Sequence, residues 1–257
     1  MAAVRTTVSV LAIFFGGVLA NDARAEDILE PAPQPVVVEM FLSQACESCP
    51  PAAEIANELA DRGDVLVLSW HVNYWDNVRH RKNGRWIDPF AKAAFVERQS
   101  VYNQQIRGKR RNFTPQAVIN GSVSVVGSKR EKLDKTIDEA RYPVLGQRIT
   151  MTMRPEGGYA VSFQNMPVEA EAALVTYRLK ARTHVDGGGN KGRVFEEANV
   201  VENVVALNAD VRSADAVAVD APASGRGCAV LVRDTENSAL IAAAECPTID
   251  YAAAVSE

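Results

Sequence analysis

The stretch that decides the fold is residues 36–51, VVVEMFLSQACESCPP. A β-branched apolar run leads into a polar turn, and the pair Cys46 and Cys49 follows where a helical pattern begins. Two intervening residues bring the sulfurs within bonding distance, and a helix start beside them favours the thiolate. A Cys-x-x-Cys pair in this strand-to-helix context predicts a thiol–disulfide site. A structural local disulfide and a metal site are the alternatives.

The residues after this stretch continue the pattern of strand and helix. Residues 36–41 and 65–72 read as buried strands, since their apolar runs are too continuous for half-exposed strands. Between them, Ile55, Ala56 and Leu59 recur at helical spacing. Strand, helix and strand at this distance predict a βαβ unit with parallel strands and a right-handed crossover.

An aromatic, aperiodic stretch, residues 73–88, is expected to form an ordered loop before the next helix. Asp88 and Pro89 predict the start of that helix, because a carboxylate can cap the N-terminus and proline suits the first helical position. The helix is expected to run to about Gln105. Its expected apolar face consists of Phe90, Ala94, Val101 and Tyr102.

A hairpin and a third helix are expected next. Asn120-Gly121 lies between two apolar runs, 117–119 and 122–126, and predicts the turn of a β-hairpin. Ser128 and Glu131 match a capping box, which predicts that a helix begins there. The expected apolar face of this helix is Leu133, Ile137 and Ala140, and Pro143 is expected to end it.

The order β-α-β, then an inserted loop and helix, then β-β-α, resembles the thioredoxin fold. In that family a cis-proline opens the third strand and packs against the Cys-x-x-Cys pair, and the matching dipeptide here is Thr114-Pro115. The residues alone favour a trans bond, so the cis geometry of Pro115 is implied by the resemblance. The resemblance also implies a catalytic site in which Cys46 is the nucleophile, Cys49 resolves the mixed disulfide and Pro115 presents backbone to the substrate.

A closer resemblance covers most of the chain after the N-terminus. The segments VEMFLSQACESCPPA (38–52), SWHVNYWD (69–76), DPF (88–90) and TPQAVING (114–121) are similar to an exported bacterial family, domain of unknown function 1223. That family is placed in the thioredoxin-like superfamily, and its own function is not settled. The resemblance therefore implies a fold and export from the cytoplasm, and says much less about activity.

The hydrophobic pattern of the sequence changes near Gly146. Short alternating segments with turn signals and without a helical pattern occupy the remainder, which predicts a β-sandwich. The expected organisation is a signal peptide (1–25), a thioredoxin-like α/β domain with an inserted loop and helix (26–146), and an all-β sandwich-like domain (147–257).

Cys228 and Cys246 flank two of the C-terminal strands, which a turn near Glu236 and Asn237 joins. Antiparallel pairing about that turn places the two cysteines opposite one another, within reach of a structural disulfide. The alternatives are two buried free thiols, or one thiol that acts as a relay partner for Cys46.

The N-terminus has the pattern of a secretory signal peptide. Arg5 supplies the basic region, residues 8–20 the apolar core, and Ala23-Arg24-Ala25 the cleavage motif. The apolar run is shorter than the roughly 20 residues that span a bilayer. The sequence therefore predicts a periplasmic or secreted protein without stable membrane insertion after cleavage, and an uncleaved anchor is the alternative. Disulfides persist in such a compartment.

Composition and net charge limit the classes of molecule that the chain is expected to bind. The formal net charge of −4 at pH 7 makes the chain a poor candidate for binding nucleic acid, and the basic run 109–111 is expected to be a solvated loop. The glycine-rich residues 187–192 lack the Lys-Ser/Thr ending of a phosphate loop and are expected to form a mobile loop. Protein or small-molecule thiols and disulfides are the expected partners, and no cofactor is predicted.

Several side chains are candidates for contact with a substrate. His71 follows a buried strand at the sheet edge where the Cys-x-x-Cys turn is expected, so it is interpreted as a proton shuttle or ligand, or else as a satisfied buried histidine. Tyr74 and Trp75, with Thr114, are expected to line a substrate groove. Aromatic packing over the site explains the two aromatic residues equally well.

The metal alternative combines thiolates with imidazole. Cys46, Cys49 and His71, with His80 as a further ligand, would suit Cu(I) or Zn(II) in a metallochaperone. The chain has three histidines and no second Cys-x-x-Cys motif, so this pattern is weak, and the leading interpretation includes no metal.

Two features of the Cys-x-x-Cys turn predict a reducing or moderate redox couple. Glu47 lies between the thiols, and a nearby carboxylate raises the pKa of a thiol. Pro51 disfavours helical geometry at Pro50, so the helix is expected to begin there or later, which leaves Cys46 with less of the helix dipole. A reduction potential above about −150 mV would contradict this expectation.

Overall fold

The structure is a computed structural model that describes residues 34–140, 147–208, 210–213 and 215–247. Its elements, in chain order, are β1 (Val36–Leu42), α1 (Pro50–Ala60), β2 (Val65–His71), a 3-10 turn (Asn73–Trp75), α2 (Ala93–Arg107), β3 (Gln116–Ile119), β4 (Val123–Val126), α3 (Arg130–Glu139), β5 (Arg148–Met153), β6 (Tyr159–Gln164), β7 (Ala170–His184), β8 (Val194–Ala206), β9 (Val217–Val219), β10 (Arg226–Asp234) and β11 (Leu240–Glu245). In the described ranges the chain is thus mostly β, with three α-helices.

The larger sheet has eight strands in the order β11-β10-β7-β8-β2-β1-β3-β4. Strands β1 and β2 pair in parallel and α1 connects them, as the βαβ pattern predicted. Every residue of both strands is buried, which explains their continuous apolar runs. Because β1 and β2 run in the same direction, their carboxyl ends at Leu42 and His71 meet at one edge of the sheet.

The predicted hairpin and third helix are present, with one correction. Strands β3 and β4 pair antiparallel on either side of the Asn120-Gly121 turn. Leu133 and Ile137 of α3 are buried as expected. The predicted capping box is wrong, because Lys129 occupies the N-cap position and no side chain caps the helix.

The predicted start of the second helix is also wrong. Helix α2 begins at Ala93, with Lys92 at its N-cap, and not at Asp88. Asp88 Oδ2 contacts the imidazole of His71 and accepts the backbone N–H of Gln44, while Oδ1 accepts the backbone N–H of Phe90 in the turn before the helix. The buried face also differs from the predicted one and includes polar residues. It consists of Phe95, Gln99, Ser100, Tyr102 and Asn103.

The strands from residue 148 onward divide between two sheets. Strands β7, β8, β10 and β11 extend the larger sheet, and β8 joins β2 through a parallel pair at Ser69 and Val200. Strands β5, β6 and β9 form a separate three-stranded sheet. The two sheets share an apolar cluster, in which Val161 of β6 packs with Val230 of β10.

Three sequence predictions fall outside the described residues. They are a signal peptide at residues 1–25, a helix end at Pro143 and a domain boundary within residues 141–146. All three therefore stay predictions. Among the helices of the described ranges, none is long and apolar enough to cross a membrane.

Candidate redox site

Cys46 and Cys49 form a disulfide in the turn between β1 and α1. Cys49 is the N-cap residue of α1, and its carbonyl accepts hydrogen bonds from the N–H groups of Ala52 and Ala53. The helix begins at Pro50, so Cys46 lies before its first turn. Both cysteines have 0% of their surface exposed, and the turn meets solvent through the two residues between them.

The sulfur of Cys46 lies beside two hydroxyl groups. The hydroxyl of Thr114 donates to Cys46 Sγ over 3.3 Å, and Ser48 Oγ lies 3.4 Å from the same sulfur. The indole N–H of Trp75 in turn donates to Thr114 Oγ1 at 2.7 Å. The Thr114-Pro115 peptide bond is cis, as the resemblance implied.

A network of buried amides holds the segment that contains this cis bond. Gln99 Nε2 of α2 donates to the carbonyl of Phe113 and to Gln116 Oε1, both at 2.8 Å. Gln116 Nε2 then donates to Asn103 Oδ1, also at 2.8 Å. Phe113 and Gln116 immediately flank Thr114-Pro115. Because the amides are wholly buried and hydrogen-bonded to each other, they fix this segment against the Cys-x-x-Cys turn.

A second buried cluster lies at the carboxyl ends of β1 and β2 and carries charge. His71 Nδ1 lies 2.7 Å from Asp88 Oδ2, and His71 Nε2 lies 3.5 Å from Glu197 Oε1. The side chains of His71 and Asp88 have no exposed surface, and that of Glu197 is 2% exposed. An imidazole and two carboxylates are therefore held together out of contact with water.

The charges of this cluster follow from its contacts. Burial by itself would lower the pKa of His71, but Asp88 and Glu197 outweigh it and raise that pKa to about 9. Burial also disfavours the Asp88 carboxylate, yet the imidazolium outweighs this and lowers the pKa of Asp88. For Glu197, burial dominates and raises the pKa. The cluster thus favours an imidazolium paired with the Asp88 carboxylate, with Glu197 as the more readily protonated acid.

Gln44 connects the charged cluster to the disulfide. Its backbone N–H donates to Asp88 Oδ2 at 2.8 Å, and its side-chain N–H group donates to Glu197 Oε2 at 2.7 Å. The remaining oxygen of its amide accepts a hydrogen bond from the indole of Trp86 at 3.2 Å. Gln44 precedes Cys46 by two residues, so the cluster fixes the backbone that leads into the turn.

The glycine segment, residues 187–192, lies between β7 and β8 and packs on the same turn; the sequence predicted only a mobile loop here, without this contact. Asn190 is buried, and its Nδ2 donates to the carbonyls of Gln44 and Cys46 at 2.9 and 2.8 Å. A Cβ atom on Gly189 would lie 2.2 Å from Cγ of Glu47, so a larger residue at this position requires Glu47 to move. Close approach of the backbone explains the glycine there.

The predicted site residues are distributed as follows. Thr114 and Trp75 are half-buried beside the disulfide, and Tyr74 is half-buried against the apolar cluster that contains Phe41 and Trp70. His71 contacts protein on both ring nitrogens and does not reach the surface. His80 Nδ1 lies 3.4 Å from a carboxylate oxygen of Glu47 and not against sulfur. In the described ranges no group of three His, Cys, Asp or Glu side chains could hold a metal ion.

The second cysteine pair lies in the C-terminal strands. Cys228 and Cys246 are joined by a disulfide, and the N–H of Cys246 donates to the carbonyl of Cys228 at 2.8 Å. The register of β10 and β11 places them side by side, as the pairing argument expected. Their surroundings are apolar, because both belong to the cluster between the two sheets.

Sequence reasoning missed the residues that support the Cys-x-x-Cys turn. Glu197 gave one indication, since it follows the apolar residue Phe195 at the two-residue spacing of one strand face, and both are buried. Gln99 and Asn103 gave a weaker indication of a shared role, because amides at i and i+4 lie on one helix face. The sequence around Asn190 gave no indication of its contact with the turn.

Comparisons with known proteins support a shared fold. The family described as protein of unknown function (DUF1223) matches residues 37–233. The crystal structure of protein AGR_C_4864 from Agrobacterium tumefaciens aligns with a TM-score of 0.63 at 24% identity, over 84% of this chain and 95% of that one. HBP35 of Porphyromonas gingivalis aligns with a TM-score of 0.52 at 13% identity, over 85% of this chain and 76% of that one. No curated protein sequence matches the chain.

Proposed function

The chain belongs to the DUF1223 family of proteins of unknown function, and from this premise we propose that it is an exported, thioredoxin-like thiol–disulfide oxidoreductase. The observation that carries the proposal is the contact between Cys46 and Thr114, the residue before the cis-proline. This contact joins the Cys-x-x-Cys pair to the cis-proline segment, which are the two features that the resemblance to thioredoxins identifies. The parallel β1-α1-β2 unit, the β3-β4 hairpin and α3 follow in the order expected for that fold.

The proposed exchange transfers two electrons. The Cys46 thiolate attacks one sulfur of a partner disulfide, forms the Cys46–partner bond and releases the other partner sulfur as a thiolate, which takes up a proton. Cys49 then loses its proton and attacks Cys46 Sγ. This step forms the Cys46–Cys49 bond and releases the second partner sulfur, which also takes up a proton. The partner gains two electrons from the cysteine pair and two protons, one released by Cys49 and one that Cys46 gave to solvent when it ionised. The reverse sequence oxidises a partner dithiol.

Disulfide exchange requires that a partner reach the sulfur of Cys46, and in the structure this sulfur is not accessible. Because Cys46 and Cys49 are wholly buried, exchange needs a conformation in which Cys46 is exposed. We place the opening at the glycine segment, where Asn190 binds the Cys46 carbonyl. The substrates are protein or small-molecule disulfides and dithiols. Tyr74, Trp75 and the Thr114-Pro115 backbone would contact them once the turn is open.

The experiment that tests this function uses reduced protein and glutathione disulfide. Wild type should form Cys46–Cys49 and release two glutathione thiols, whereas Cys49→Ala should accumulate a mixed disulfide between Cys46 and glutathione, visible by mass spectrometry. Cys46→Ala is the matched control and should accumulate far less adduct. A Cys49→Ala protein that remains fully reduced after hours with excess glutathione disulfide would exclude the exchange function.

Complete burial of both cysteines favours a second candidate function. In this alternative the chain is a non-enzymatic periplasmic binding module, and Cys46–Cys49 is a structural disulfide that closes the turn. A structural disulfide resists reduction by glutathione, and its removal lowers stability without loss of any exchange activity. Incubation of the oxidised protein with reduced glutathione separates the two candidates, because the exchange function predicts that Cys46–Cys49 opens and the structural role predicts that it stays closed.

Export is the remaining part of the proposal. Its support is the signal-peptide pattern at residues 1–25. Expression of the full chain in a Gram-negative host, followed by fractionation and N-terminal sequencing, should find a periplasmic protein that begins at Glu26. A full-length protein retained with the membrane would favour an uncleaved anchor.

A further inference from the structure

The contact between Trp75 and Thr114 gives the aromatic loop a role beyond lining a groove. A hydroxyl group has one proton to donate and lone pairs to accept. Trp75 Nε1 donates to Thr114 Oγ1 at 2.7 Å, and this leaves the hydroxyl proton for another partner. Cys46 Sγ lies 3.3 Å away in a direction suited to receive it. The three groups therefore form a chain of donors that ends on sulfur.

We propose that Trp75 is a positioning residue, which turns the Thr114 hydroxyl proton toward Cys46 and so stabilises the Cys46 thiolate in the reduced protein. This inference rests on the proposed exchange function and deepens it. A hydrogen bond to a charged acceptor is stronger than one to a neutral acceptor, so the chain favours the thiolate over the thiol. Donation by Trp75 to the hydroxyl oxygen polarises the group and strengthens its own donation.

The position of Cys46 makes this source of stabilisation important. The helix begins at Pro50, so Cys46 lies outside the first turn, where the dipole of the helix is felt most. The titratable groups around the site include carboxylates, which oppose a thiolate. On the turn and behind Gln44 these titratable groups are Glu47, His80, His71, Asp88 and Glu197. Removal of the Trp75 indole leaves all of them in place.

Tyr74 provides a matched control. Its phenol oxygen lies near the Thr114 hydroxyl, yet by distance and angle it has no hydrogen-bond partner among the described residues. If Thr114 donates to sulfur, Tyr74→Phe leaves Cys46 unchanged. If Thr114 donates to the phenol, Tyr74→Phe frees the proton for sulfur and lowers the pKa of Cys46.

The test measures the pKa of Cys46 in a Cys49→Ala background. The rate of alkylation by iodoacetamide is followed against pH, and mass spectrometry assigns the label to Cys46. We expect Thr114→Ala to raise the Cys46 pKa by about one unit and Trp75→Phe by about half a unit. Thr114→Ser, which keeps the hydroxyl, should stay near the parent, as should Tyr74→Phe.

Three results would overturn the inference. One is a Trp75→Phe variant whose Cys46 pKa equals that of the parent while Thr114→Ala shifts it. The second is a set of Thr114 variants with no shift at all. The third is a Tyr74→Phe variant with a lowered Cys46 pKa, since Thr114 would then donate to the phenol and not to sulfur. If Trp75→Phe does not fold, Trp75→Leu, which also lacks the N–H donor, takes its place. The comparison of Thr114→Val, which cannot donate, with Thr114→Ser, which can, tests the donation by Thr114 separately. The pKa is measurable whether or not the chain exchanges disulfides with a partner, so failure here is distinct from failure of the proposed function.

Discussion

The two disulfides of the chain both contact apolar clusters, but they differ in burial and in polar neighbours: Cys46 and Cys49 are wholly buried, whereas Cys246 is partly exposed. Cys46–Cys49 closes a turn over a separation of 3 residues, with the Thr114 hydroxyl at sulfur and a charged cluster behind Gln44. Cys228–Cys246 spans 18 residues and lies in an apolar cluster between two sheets. Polar donors favour a thiolate and apolar neighbours disfavour it. This difference supports the proposed exchange at the first pair and the proposed structural role of the second.

The two disulfides also differ in the backbone structure around them. Strands β10 and β11 hold Cys228 and Cys246 side by side through their ladder, so the bond links positions that the sheet already aligns. Cys46 and Cys49 lie in a turn between elements, and contacts from distant residues such as Asn190 hold that turn in place. Local opening costs less free energy in a turn than within a strand pair.

The largest expected effect concerns the charges near the first pair. His71→Ala leaves the Asp88 carboxylate buried without its partner, and breaking such a pair costs about 3–5 kcal/mol of the free energy of unfolding. Urea unfolding with both disulfides intact measures the loss. His80→Ala is the control, because its partner Glu47 is 66% exposed, and it should cost less than about 1 kcal/mol. Equal losses of the free energy of unfolding in the two variants would show that the buried pair of His71 and Asp88 stabilises the fold no more than the exposed pair of His80 and Glu47.

The pH dependence of stability tests the same cluster. The pKa of His71 rises from 6.5 to about 9 on folding, so its stabilising contribution is complete below pH 6.5 and is lost as the pH rises through 9. The free energy of unfolding should therefore fall by about 3 kcal/mol over this range. His71→Gln should abolish most of that slope. A wild-type profile that is flat from pH 6.5 to 9 would mean that His71 is neutral in the folded chain.

Removal of each disulfide tests the structural side of the comparison. Loss of the longer loop, in Cys228→Ala/Cys246→Ala, should lower the free energy of unfolding by about 3 kcal/mol, against about 2 kcal/mol for Cys46→Ala/Cys49→Ala. Chemical unfolding of the two double variants gives both values. The assignment of structural support to the second pair fails if the order is reversed.

A smaller effect is expected at the glycine segment. Asn190→Ala removes two hydrogen bonds to the Cys-x-x-Cys turn, so opening should be easier and reduction of Cys46–Cys49 by dithiothreitol should accelerate about tenfold. The rate for Cys228–Cys246 in the same sample is the internal control. Acceleration of both pairs would indicate global loosening, and no acceleration would mean that the segment does not control access.

The sequence was sufficient for features set by local pattern. The buried strands, the βαβ unit and the Asn120-Gly121 hairpin each follow from spacing within a few residues, and the structure contains them. The cysteine pairs were also located, because β10 and β11 are neighbours along the chain and because Cys46 and Cys49 share one turn.

Features that depend on distant partners could not be predicted. Asp88 has the signature of a helix N-cap, and only the nearby His71 explains why its carboxylate is used elsewhere. Glu197 reaches Gln44 across 153 residues, a pairing that no local pattern specifies. The order of the larger sheet, in which β8 lies beside β2, likewise results from long-range packing.

The most direct measurement is the reduction potential of each disulfide in one protein. The chain is equilibrated in glutathione buffers, extended below about −280 mV with dithiothreitol, then alkylated and mapped by mass spectrometry. We predict that Cys46–Cys49 is half-reduced between about −270 and −150 mV, while Cys228–Cys246 stays oxidised to below about −300 mV. A Cys46–Cys49 bond that is still oxidised at −300 mV, or two pairs that reduce together, would contradict the assignment of exchange to the first and support to the second.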